Sequence, residues 1–170
     1  MHELITQTLG DATIQQFRDT YLREHATTRK VLHAFPPDQA GLKPHERSSS
    51  AEKLAWLFVL EELIMLKVLS NEPLGREMPK PPDSWQGILD AFDEQHEKMK
   101  AKLENVDAAM LNPVKFPVAP KELADYAPLA FLFRFLFDQI HHRGQLSVYL
   151  RIAGGKVPSI YGPSGDESWT

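Results

Sequence analysis

Cysteine is absent from all 170 residues. That excludes a disulfide scaffold, thiolate metal ligation and a cysteine nucleophile, and it suits a reducing cytoplasm. Runs of basic residues are missing too. With 19 Lys+Arg against 23 Asp+Glu the net charge is −4, which argues against general nucleic-acid binding, since neutralising phosphates needs a basic surface. No apolar run approaches the roughly 20 residues that span a bilayer. The densest, residues 54–60, stops at Glu61 and Glu62. The opening MHELITQTLGDATIQQ has no basic segment leading into an apolar core, so no secretory signal is expected. Alternating strand patterns of useful length are also lacking. A soluble, cytoplasmic protein with one domain over residues 1–170 is the expectation, without membrane or nucleic-acid partners.

Helical spacing dominates what is present. Ile14, Phe17, Tyr21, Leu22, Thr28, Val31 and Leu32 predict a first helix over 13–35, ended by Pro36 and Pro37. A serine-rich loop then offers an N-cap for a second helix over 51–70, apolar on all sides and so buried on more than one face or against a second subunit. Residues 71–84 are rich in proline and long enough to cross one end of a bundle. Ser84 is placed to cap a third helix over 85–106, whose apolar stripe is Ile88, Leu89, Phe92, Met99 and Leu103. Residues 107–125, with Pro113, Pro117 and Pro120, read as a long ordered loop. A fourth helix over 127–153 ends at Gly154 and Gly155. Four long helices predict an all-α four-helix bundle with a long crossover and an irregular C-terminal tail. In that tail Ile160, Tyr161 and Trp169 are expected to pack rather than to form a ligand lid.

The fourth helix carries an unusual polar centre: Asp138, His141, His142, Arg143 and Gln145. Groups of this kind inside an apolar helix are costly to bury without partners. The run HHRGQLSVYLRIAGGKVPSIYGPSGDE, with GLKPHERSSSAEKLAWLFVLEE upstream, closely resembles the signatures of the DinB-like (DinB/YfiT) superfamily over nearly the whole chain. The resemblance implies a bundle with a long crossover after the second helix, often a homodimer. It also implies a divalent metal, commonly nickel or zinc, held by one histidine on the second helix and an HxxxH pair on the fourth. Characterised relatives include thiol-dependent transferases and hydrolases.

The chain departs from that pattern. His141 matches the second histidine of HxxxH, but Phe137 stands one turn earlier, and Leu57 takes the second-helix position. One imidazole is a poor divalent site, since zinc takes three or four protein ligands. The usual site is therefore expected to be degenerate, with His141 its remaining ligand and no cofactor. On this reading the protein has an unassigned, binding or stress-related role. The alternative is a metal-dependent hydrolase or thiol S-transferase with a site rebuilt around Glu61 and His141 for nickel, zinc or iron, with His142 and Gln145 as neighbouring donors. Against it, Glu61 can hydrogen-bond within the core, and Asp138 can orient His141 or His142 through i,i+3 or i,i+4 contact. The pocket candidates are Leu57, Glu61, Phe137, Asp138, His141, His142 and Gln145, facing a small-molecule ligand.

Other polar residues carry weaker signals. His25, His33, His45 and His96 are expected on helix surfaces or in a loop. Arg143 and Arg151 are expected to pair with Asp138 or the acidic tail. Ser147, Tyr149 and Thr28 form no serine-hydrolase order. Gly144, which costs a helix about 1 kcal/mol relative to alanine, suggests close approach of another backbone.

Overall fold

The computed structural model describes residues 2–75, 77–119 and 122–168, with side chains over 13–75, 77–117 and 122–168. Four helices dominate: α1 (His2–Ala34), α2 (Ala51–Leu69), α3 (Trp85–Glu104) and α4 (Pro128–Ile152). The first begins well before residue 13, because apolar spacing marks where a helix packs rather than where it starts. Ser84 caps α3 as expected, its hydroxyl accepting from the Gly87 amide at 3.1 Å. Ser50 is the α2 N-cap residue but makes no side-chain cap bond.

Two apolar clusters show how the helices run. One gathers Val31, Leu32 and Phe35 from α1 with Leu54 and Phe58 from α2, Trp85 and Ile88 from α3, and Leu146 and Leu150 from α4. The other gathers Phe17 and Tyr21, Met65 and Leu69, Met99 and Leu103, and Phe131, Leu132 and Leu136. Helices α1 and α4 thus run from the second cluster to the first, and α2 and α3 run the other way. Parallel neighbours α2 and α3 need a connection that returns along the bundle, and residues 70–84 supply it. The Trp56 indole ties that crossover down by donating to the Pro79 carbonyl at 3.0 Å.

Between the clusters lies a belt of polar side chains at mid-height. Each helix contributes: Glu24, His25 and Thr28 from α1, Glu61 and Glu62 from α2, His96 from α3, and Gln139, His142 and Arg143 from α4. Belt groups at 4% exposure or less include Glu61, Glu62, His25 and Arg143, so each must find partners inside the protein.

The loop expected over 107–125 is corrected. β1 (Val114–Ala119) and β2 (Glu122–Tyr126) form an antiparallel hairpin, a two-stranded sheet within an otherwise helical fold. Pro117 is tolerated because a two-stranded sheet has a free edge on each side, and the register slips between Pro117 and Ala119. Phe116 and Tyr126 set their rings edge-on to Phe131, 5.2 Å and 5.7 Å between centroids, so the hairpin closes that end of the bundle.

At the other end α4 stops at Gly154, whose φ of +80° favours glycine, and the Gly155 amide bonds back to the Leu150 carbonyl. A Cβ at Gly155 would sit 3.1 Å from the Ala34 carbonyl oxygen, so the tail leaves tight against the end of α1. Val157 and Ile160 then pack on the first cluster. Tyr161 reaches the belt, its hydroxyl 2.6 Å from both Glu24 and Arg143, and Arg151 pairs with Asp166 at 2.6 Å. The tail packs on its own bundle; Trp169 lies outside the described residues.

Candidate functional site

On the α2–α4 side of the belt, Glu61 is buried and faces α4. Opposite it stands His142, whose Nε2 is 3.4 Å from Glu61 Oε1 and 3.9 Å from Asp138 Oδ1. Asp138 and His142 are one turn apart and so share a helix face. One donor atom from each of the three side chains lies within 4.8 Å of the others. Burial, with the nearby Asp138 charge, pushes the Glu61 carboxyl up to about 9. Burial also lowers His142, against the pull of Asp138, so this imidazole favours its neutral, ligand-competent form. Glu61 Oε2 is enclosed and has no hydrogen-bond partner.

The remaining sequence candidates are placed elsewhere. His141 is exposed and in contact with Gln145, its Nε2 2.7 Å from the amide nitrogen. Phe137 is 60% exposed, and Leu57 is half-buried against the first apolar cluster. Thus Glu61, Asp138 and His142 come together, with Gln145 beside His142, whereas Leu57, Phe137 and His141 add no donor atom to the cluster. The α4 side chains that face Glu61 are Asp138 and His142, one residue out of register with Phe137 and His141.

Several other expectations need correction. His25 is 3% exposed and His96 is half-buried, neither on a free surface. Arg143 pairs with Glu24 at 2.8 Å rather than with Asp138. Within the chain no described backbone approaches Gly144: nothing lies within 4 Å of a Cβ built there.

One turn along α2 from Glu61, Ile64 enters the wall of a cleft of about 910 Å³ between the crossover and the hairpin. Its walls include Val68, Leu74, Met78, Phe116 and Leu123, with Asn71, Glu72, Asn112 and Lys115 as polar groups. An apolar cleft with a few polar groups is the usual form of a small-ligand site.

Fold and site together define a four-helix bundle with a carboxylate–histidine cluster between its second and fourth helices. The chain belongs to the DinB family, whose pattern it matches over residues 9–169. It is similar to an uncharacterised Bacillus subtilis protein, YrdA, at 26% identity over 162 residues, covering 91% of this chain and 92% of that protein. Two crystal structures share the fold at 20% identity. A DinB-like protein of Bacillus cereus superposes with a TM-score of 0.70, covering 86% of this chain and 97% of the other. The DinB-like YjoA of Bacillus subtilis gives 0.67, with coverages of 91% and 99%. No described helix is long and apolar enough to cross a membrane.

Proposed function

We propose that this DinB-family protein binds a divalent transition metal through Glu61, Asp138 and His142. The carrying observation is Glu61: a buried carboxylate with one oxygen facing His142 and the other without a partner. Two carboxylates and one imidazole suit iron, nickel or zinc, and a three-residue set leaves positions for water or substrate. Such an ion, when bound, polarises a carbonyl or lowers the pKa of a coordinated water or thiol, the chemistry of a hydrolase or thiol transferase. The chain's own part is to exclude water around Glu61, to hold His142 neutral, and to offer the apolar cleft beginning at Ile64 to a small-molecule substrate.

Metal analysis of tag-free protein, after exposure to nickel, zinc or iron and removal of free ion, tests this. Bound metal is expected in wild type and in His141→Ala, and its loss in Glu61→Gln and His142→Ala. Metal-free wild type, or loss on His141→Ala alone, refutes the assignment and returns the protein to a metal-independent binding role.

We also infer a homodimer through the outer face of α4. Phe137, His141, Gly144, Val148 and Ile152 share that face, and its three large apolar residues are 53–60% exposed. Gly144, open to solvent, supplies room for the close approach of a second copy.

A further inference from the structure

Glu62 follows Glu61 directly but faces the other way, toward α1 and α3. Its Oε1 accepts from the Tyr21 hydroxyl at 3.1 Å and lies 2.8 Å from His25 Nδ1. The same hydroxyl is 2.9 Å from His96 Nδ1. The His25 and His96 rings stack with centroids 3.6 Å apart, and Phe92 covers the other face of His25 at 4.3 Å. A cavity of about 370 Å³ between α1 and α3 opens onto both histidines, with Arg29, Asp93 and Glu97 also lining it.

Two features of this cluster are unexplained by hydrogen bonding alone. Glu62 is fully buried, which pushes its carboxyl well above the usual carboxylate range, and its ion-pair partner among the described residues is His25, which burial drives down to about 4 and so toward neutrality. His25 Nε2 and Glu62 Oε2 are both enclosed without partners. Buried carboxylates are stable when protonated, paired with a cation or coordinated to a metal. Donor atoms of His25, Glu62 and His96 lie within 4.8 Å of one another.

We propose that His25, Glu62 and His96 form a second divalent-metal site, reached through the α1–α3 cavity and independent of Glu61, Asp138 and His142. Two imidazoles and one carboxylate select zinc, cobalt, nickel or copper over magnesium and calcium, which prefer all-oxygen shells. The stack sets the manner of loading. Imidazole lone pairs lie in the ring plane, and two nearly parallel rings, 11° apart, cannot both aim at one ion. One ring turns on binding. His25 is held between Phe92 and Glu62, so His96, half-buried on the cavity wall, is the ring that turns.

The test uses the full chain without an affinity tag, stripped by chelator, with Co(II) alone as probe. Bound cobalt per chain and its visible absorption are measured for wild type, His96→Gln, His142→Ala and the double variant. His96→Gln is expected to remove one equivalent in both the wild-type and the His142→Ala backgrounds. Unchanged stoichiometry in both overturns the site. Because the His142→Ala background lacks the first cluster, failure there is distinguishable from failure of the α2–α4 assignment. Should His96→Gln lose the native circular dichroism signal, Zn(II) titration of wild type followed by imidazole NMR decides. Shifts of the His25 and His96 resonances at one equivalent support the site, and unmoved resonances overturn it.

Discussion

Replacing Arg143 by methionine puts the polar belt to its hardest test. The guanidinium is 1% exposed and makes four contacts: the Glu24 carbonyl at 3.1 Å, Thr28 Oγ1 at 3.3 Å, Glu24 Oε2 at 2.8 Å and Tyr161 Oη at 2.6 Å. Methionine keeps the apolar stem but leaves the Glu24 carboxylate buried. Breaking a buried pair from one side costs about 3–5 kcal/mol. Arg23, 3.6 Å from Glu24 but largely exposed, offers partial replacement and places the expectation toward the lower end. For a chain of this size each kcal/mol moves Tm by about 2–4 °C, so a fall of about 6–15 °C is expected for Arg143→Met. Adding Glu24→Leu removes the orphaned charge. The double variant should recover to within about 2 kcal/mol of wild type, since replacing a buried pair by apolar groups is often neutral. Urea and thermal unfolding of the four proteins complete the cycle. A loss under about 1 kcal/mol in Arg143→Met, or strictly additive single effects, would refute the claim that this pair is desolvated and coupled.

Two further outcomes are expected. Glu61 holds its proton in the fold up to about pH 9 but releases it near 4.5 when unfolded, so its contribution is complete below 4.5 and is lost as pH rises through that window. With chelator present, the stability of Glu61→Gln relative to wild type should therefore rise between pH 5 and 9, by at most about 1.4 kcal/mol per unit; a flat difference contradicts the buried placement. Gly144→Ala should stabilise the protomer by roughly 0.5–1 kcal/mol while weakening self-association, read by unfolding and by light scattering. A wild type that stays monomeric at every concentration removes the dimer.

The four helices were legible because proline and glycine punctuate them and apolar residues recur every three to four positions. Pro113, Pro117 and Pro120 hid the hairpin: proline argues against a central strand, but this sheet has only edges. The choice between His141 and His142 was one of helix phase. His142 stands four residues before the buried Leu146, whereas His141 stands four after the exposed Phe137. His25 was readable in the same way, four residues beyond Tyr21 on the buried stripe of α1, as was His96, four beyond Phe92. What spacing did not contain was the pairing across helices. That Glu61 meets His142 while Glu62 meets His25 depends on which neighbour each side of α2 faces, and hence on the crossover.

Tyr161 gives the tail a significance beyond packing. Irregular segments that leave a bundle ordinarily loosen at little cost and offer proteases a first grip. This one carries a hydroxyl that completes the shell of a buried guanidinium, and Asp166 ties it again to Arg151. Loosening it takes one partner from a buried guanidinium in the middle of the bundle, so local opening of this segment carries a cost that an ordinary tail lacks. Resistance to proteolytic entry by this route thereby draws on the same contacts that keep the polar belt intact.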